Sequence, residues 1–123
     1  MSGAFSFDKV DYIVSNLRFS NLFKWALECS ESIDDINRAS YVSKMSQLSE
    51  DVFIPHTFVQ FEKYFDTGEL DYWAKVFYQL GYDIYEGKIG NQENRDWQPG
   101  AIADSIQISK LLKELSSKIS EHN

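Results

Sequence analysis

The chain has 123 residues, of which 43% are hydrophobic and 25% are charged, and these values are ordinary for one globular domain spanning residues 1–123. Nineteen acidic and twelve basic residues give a formal net charge of −7, which argues against nucleic-acid binding because phosphate backbones select basic surfaces. No apolar run approaches the roughly 18–20 residues of a membrane span, and the first residues lack the basic and apolar regions of a secretion signal. We therefore expect a cytoplasmic protein that does not bind membranes.

Residues that could support catalysis or metal binding are scarce. Two histidines and one cysteine are too few for a zinc site of the usual spacing, and no glycine-rich phosphate loop is present. His56 has no particular serine as a candidate partner, and Cys29 is expected to be a small buried hydrophobe on a helix. We expect no metal, no cofactor and no enzymatic activity.

Apolar residues in the first half of the chain recur at helical spacing. They predict a first helix over about residues 7–17, capped by Ser6, and a second, central helix that begins after Ser20. A spacing of three predicts a third helix over about residues 32–49. Residues 51–56 include Pro55, which biases the residue before it towards extended geometry, so this segment is predicted to form a linker or a short edge strand.

Two capping patterns stand in the middle of the chain. Thr57 begins a capping-box pattern that predicts a helix reaching Phe65. A second capping pattern over Asp66–Glu69 predicts another amphipathic helix, with Gly81 as its C-cap. Residues 82–85 alternate in polarity but have no evident partner strand, so they are predicted to be an isolated extended segment.

The end of the chain combines a polar loop with one more helix. Residues 86–98 show no helical period and predict a long loop, and Pro99 suits the first turn of the last helix. The sequence as a whole therefore predicts an all-α, single-domain, irregular bundle of five or six helices with one long loop near 86–98.

An acidic cluster lies between the second and third predicted helices. Glu28, Glu31, Asp34 and Asp35 follow one another with no basic residue between them. Carboxylates at a helix start stabilise the helix, and this accounts for Asp34 and Asp35 without any partner. It does not account for Glu28 and Glu31, at the end of the preceding helix. The cluster is either solvated surface or a patch that faces a partner.

Ten of the nineteen aromatic residues lie between Phe58 and Tyr85. Helical spacing assigns four of them to the core, namely Phe61, Phe65, Trp73 and Phe77. The partner-facing surface is predicted to combine tyrosines with nearby carboxylates: Tyr72, Tyr78, Tyr82 and Tyr85 with Asp66, Glu69, Asp71, Asp83 and Glu86. Such a composition suits a binding hot spot, although each tyrosine could instead bury its ring and expose its hydroxyl group. Trp97 is predicted either to pin the polar loop to the core or to anchor an interface.

In size, acidity, helical pattern and want of catalytic motifs, the chain resembles the bacterial immunity proteins of contact-dependent inhibition systems and colicins. The resemblance implies a tight one-to-one complex with a cognate basic toxin and protection of the producing cell. Basic nucleases are natural targets, because carboxylates can occupy phosphate positions and steer association. The alternative is a helical adaptor or regulatory subunit that forms a homodimer through the same aromatic surface.

Overall fold

A computed structural model describes residues 2–51, 58–90 and 96–121. These residues form five helices and a three-stranded mixed sheet, so the expectation of an all-α bundle is wrong. The elements in chain order are β1 (Ser2–Phe7), β2 (Val10–Ser15), α1 (Asn16–Ser30), α2 (Arg38–Asp51), β3 (Phe58–Gln60), α3 (Phe61–Tyr64), α4 (Thr67–Tyr85) and α5 (Gln98–Glu121).

An antiparallel hairpin of β1 and β2 replaces the helix predicted over residues 7–17. Asp8 and Lys9 form its two-residue loop, and their φ angles are 46° and 73°. Positive φ at both loop residues is typical of type I′ turns, whose twist matches that of the flanking strands. Phe5 pairs with Tyr12 across the hairpin, so alternate side chains of both strands share the face that meets the helices.

The short strand β3 joins the opposite edge of β1. It runs parallel to β1 with Val59 opposite Phe5, which gives the strand order β2-β1-β3. The helix predicted from Thr57 to Phe65 is therefore wrong over residues 58–60, and helix is found there only in the single turn of α3. Thr57 lies outside the described residues, as does most of the segment 51–56.

Helices α1 and α2 differ from their predicted bounds. Ser15 is the N-cap of α1, and its side chain accepts a hydrogen bond of 3.2 Å from a backbone N–H in the first turn. Ser20 therefore lies inside α1, and Ser6 lies inside β1, so neither is the predicted cap. Turns and irregular backbone occupy residues 31–37, so α2 begins later than the helix predicted from residue 32.

The capping box predicted at Asp66–Glu69 is confirmed at the start of α4. The Asp66 carboxylate accepts a hydrogen bond of 2.9 Å from the backbone N–H of Glu69. The Glu69 carboxylate in turn accepts one of 3.3 Å from the backbone N–H of Asp66. Two donors that the helix itself leaves unpaired are thereby satisfied.

The other end of α4 lies beyond the predicted C-cap. Gly81 is inside the helix, and residues 82–85 form its last turn rather than an extended segment. A Cβ at Gly81 would lie 2.8 Å from the end of the Ile106 side chain, so glycine allows α5 to approach closely. The helix is terminated by Gly87, which adopts a left-handed φ of 79°. The Lys88 N–H donates a 2.8 Å hydrogen bond to the Asp83 carbonyl, which completes a Schellman motif.

Helix α5 starts at Gln98 and has Pro99 in its first turn, as predicted. Turns cover residues 86–90 and 96–97 of the predicted loop, and residues 91–95 lie outside the described part of the chain.

One cluster of buried apolar side chains joins the sheet to the helices. Phe5 lies at its sheet end, with ring centroids 4.7 Å from Phe19, 5.4 Å from Phe23 and 5.6 Å from Phe61. The four aromatic residues assigned to the core from their spacing are all buried: Phe61, Phe65, Trp73 and Phe77. Burial of such rings is the main source of folding free energy in this chain.

Candidate partner-binding face

Three tyrosines form an exposed row on α4, which we call the tyrosine ridge. Tyr78, Tyr82 and Tyr85 are spaced four and three residues apart, so they share one face of the helix. Their exposed fractions are 51%, 50% and 74%, which confirms that these rings face solvent. The Tyr78 and Tyr82 rings meet edge to face, and their hydroxyl oxygens lie 3.3 Å apart in a hydrogen bond. The ridge is thus an ordered apolar surface with a polar rim.

A groove where the end of α1 lies beside the end of α4 forms what we call the acidic flank; on α4 it is lined by Gln79 and Asp83, which directly follow Tyr78 and Tyr82 in the sequence. Glu28 comes from α1, Glu31 is the C-cap of that helix, and Asp83 comes from α4. The two glutamates are exposed and form no ion pair with any described residue. Lys88 also lines the groove, but its Nζ lies 2.9 Å from the Glu86 carboxylate. The fold therefore brings together carboxylates that are about fifty residues apart in the sequence.

Asp83 lies at the floor of the acidic flank and is almost fully buried. Its carboxylate accepts a hydrogen bond of 2.9 Å from the Gln79 side chain and lies 3.4 Å from the Cys29 sulfur. Burial, together with the charge and hydrogen bond of Asp83, raises the pKa of the Cys29 thiol to about 12. Cys29 is a buried, neutral thiol on α1, as the sequence predicts.

The opposite side of α4 carries positive charge, and we call it the lysine flank. Lys75 of α4 and Lys110 and Lys113 of α5 line the groove between the two helices, together with Asp71. Tyr78 lines the same groove, so the tyrosine ridge borders it directly. The sequence analysis missed this feature, because Lys75 joins Lys110 and Lys113 only when α4 packs against α5.

Like Asp83, two other residues predicted to face a partner are instead buried in the capping and packing of α4. Tyr72 is 2% exposed, and its hydroxyl group lies 2.9 Å from the Ile33 carbonyl and 3.2 Å from that of Ser30. Glu69 is 6% exposed, and its carboxylate lies 3.0 Å from the Lys44 ammonium group. The prediction that Tyr72, Glu69 and Asp83 present themselves to solvent is therefore wrong. Each polar group is satisfied inside the chain.

Three other predicted carboxylates serve helix starts. Asp34 forms an ion pair of 3.0 Å with Arg38, and the Asp35 side chain accepts a 2.8 Å hydrogen bond from the Asn37 backbone N–H. Both lie just before α2, where negative charge complements the helix dipole. Asp66 caps α4. Their placement agrees with the alternative in which these carboxylates need no partner.

The remaining predicted site residues lie around the edges of α4. Asp71 is exposed beside the lysine flank, and Glu86 is exposed next to the acidic flank. Trp97 is partly buried and stacks on Trp25 with a centroid distance of 5.2 Å. This stacking agrees with the alternative in which Trp97 pins the loop to the core.

Some exposed apolar residues were not anticipated. Ile36 lies within the helix predicted over residues 32–49, but it is 99% exposed in the turn before α2. Ile13 and Leu17 also expose most of their surface, near the junction of β2 and α1. They lie on elements other than α4 and are not part of the ridge.

Within the described ranges, no group of three His, Cys, Asp or Glu side chains could hold a metal ion. None of the helices in those ranges combines the length and apolar character needed to cross a membrane. Comparison with protein-family models, curated proteins and solved structures finds no match to this chain.

Proposed function

We propose that the chain is an immunity-type inhibitor that binds a basic toxin, such as a nuclease domain, one to one in the cytoplasm of the producing cell. The tyrosine ridge and the acidic flank form the binding face. The observation that carries this proposal is the position of Glu28 and Glu31, two exposed carboxylates that form no ion pair with any described residue, in the groove where α1 meets α4, the helix that carries three exposed tyrosines.

The two features support binding in different ways. Tyrosine rings supply rigid contact area at low entropic cost, and they are enriched at interface hot spots. Exposed carboxylates attract a basic surface over a distance of about 10 Å at physiological salt and so accelerate association. Because a nuclease cleft is built to hold phosphates, the carboxylates compete with its substrate.

The test uses the chain together with the product of the open reading frame immediately upstream of its gene. We expect the two proteins to co-purify as a one-to-one complex in which the toxin's activity is suppressed. The E28K/E31K variant should associate about tenfold more slowly at low ionic strength, and salt should reduce the difference. Stopped-flow fluorescence measures both effects.

A matched control separates the location of the charges from their number. The E50K/E121K variant changes net charge equally, but its substitutions lie on α2 and at the end of α5, and both residues are exposed. This variant should associate almost as fast as the wild type. Equal slowing by both variants, or an association rate that salt does not change, would contradict the proposed face.

A further inference from the structure

The tyrosine ridge lies between two flanks of opposite charge. Helix α1 contacts α4 on one side, where the Cys29 sulfur lies 3.6 Å from the Val76 carbonyl oxygen. Helix α5 contacts it on another side, where the Ser109 hydroxyl group bonds the Ala74 carbonyl at 2.5 Å. The acidic flank belongs to the first contact and the lysine flank to the second. The face as a whole is bipolar.

A bipolar face is complementary to itself. In a symmetric dimer with a two-fold axis, each patch meets the image of another patch on the same face. A face of one charge sign would repel its own copy. Here an axis that runs along the ridge, in the plane of the interface and parallel to α4, sets Glu28 and Glu31 of one copy opposite Lys110 and Lys113 of the other, and it sets ridge against ridge.

We propose that the tyrosine ridge and its two flanks form an isologous interface between two copies of this chain. Six tyrosines, three from each copy, form the apolar centre, and two rows of opposite charges form the rim. Aromatic centres with polar rims are the usual anatomy of protein interfaces. The proposed dimer does not depend on the proposed toxin complex. Both would cover the same face, so a chain in the dimer cannot bind the toxin at the same time.

The test is an exchange of charges between the flanks, followed by sedimentation velocity on the full chain at low salt. We expect the wild type to dimerise. E28K/E31K should oppose lysines with lysines, and K110E/K113E should oppose carboxylates with carboxylates, so each variant alone should dimerise at least about tenfold more weakly. An equimolar mixture of the two should form a heterodimer, because opposite charges then meet at both rims.

Four further variants fix the interpretation. D11K/E50K and K9E/K63E change the same net charges on exposed residues outside α1, α4 and α5 and should dimerise like the wild type. The quadruple variant E28K/E31K/K110E/K113E should dimerise again. Tyr82→Ala with Tyr85→Ala should weaken the dimer and leave the far-ultraviolet circular dichroism of the monomer unchanged.

Any one of three results would overturn the dimer. The wild type could stay monomeric at the highest concentration it reaches, the flank variants could dimerise like the wild type, or the mixture of the two monomeric variants could stay monomeric. Because these measurements use the chain alone, a negative result would disprove the dimer without bearing on toxin binding. If the chain both dimerises and binds the toxin, addition of the toxin should convert the dimer to a one-to-one complex.

Discussion

Cys29 shows how one buried group ties stability to pH. Its thiol is 2% exposed and lies against the Asp83 carboxylate, so ionising it would place two negative charges together away from water. The ordinary pKa of 9.0 is raised to about 12 in the fold. Between these values the unfolded chain has released the proton and the folded chain has kept it.

The expected result is a loss of stability as pH rises from 9 towards 12. In that window the folded state binds more protons than the unfolded state, so the free energy of unfolding falls by up to about 1.4 kcal/mol per pH unit from this group. Urea unfolding of the wild type and of Cys29→Ala measures it. The wild type should show the steeper decline, because only it contains the Cys29 thiol. Tyr12 and Tyr72, whose pKa values are also raised by burial, are present in both proteins and contribute equally to both declines. Parallel declines would contradict the pKa assigned to Cys29.

Residue burial was predictable where it depends on one helix alone. Trp73 and Phe77 repeat at helical spacing, and both are fully buried. Tyr72 precedes Trp73 and faces a different direction, so spacing placed it near the polar side. Its burial depends on carbonyl groups of Ser30 and Ile33, which come from a distant part of the chain. One-helix periodicity contains no information about such partners.

At the scale of elements, the hairpin turn stores backbone strain. Lys9 has a φ of 73°, in the left-handed region that side chains with a Cβ disfavour, whereas the preceding Asp8 belongs to a class that tolerates it better. Asp-Gly is the preferred pair for this kind of turn. A natural glycine at this position would have identified the hairpin from the sequence.

We predict that Lys9→Gly stabilises the protein by about 1 kcal/mol, because it removes the left-handed penalty. Thermal unfolding followed by circular dichroism measures the change, with Lys9→Ala as the control. The alanine variant retains the penalty and should unfold close to the wild type. Equal stabilisation of both variants would show that the lysine side chain, rather than the backbone angle, is responsible.

The hairpin was missed because two periodicities overlap in the same residues. Val10, Val14 and Leu17 suit a helix, while Val10, Tyr12 and Val14 suit one face of a strand. The partner strand decides between them, since Phe5 and Phe7 alternate with small residues in β1. By contrast, the capping box at the start of α4 was predictable, because both of its partners lie within four residues.

At the scale of the whole molecule, a single core predicts a single unfolding transition. The apolar cluster contains residues of β1, β3 and all five helices, with Trp25 and Trp73 among them. Tryptophan fluorescence and far-ultraviolet circular dichroism should therefore change together in urea, with coincident midpoints. Helical signal that persists after the fluorescence change is complete would indicate two independently folding parts.

The charge pattern explains which parts of the candidate face the sequence could reveal. The excess of carboxylates and tyrosines is visible in composition, and Tyr78, Tyr82 and Tyr85 do lie outside. The arrangement of charges into two flanks is a property of packing, since it depends on α1 and α5 lying on different sides of α4. Net charge alone suggests a uniformly acidic partner surface and conceals the lysine flank.

The parallel pairing of β1 with β3 sets an order on synthesis. The hairpin leaves the ribosome before β3, so one edge of β1 stays open until residues 58–60 have been translated. Until then Phe5 and Phe7 lack the Phe61 ring that covers them. The nascent chain thus carries an unpaired strand edge while about fifty further codons are translated, and during this interval aggregation or chaperone binding would compete with folding.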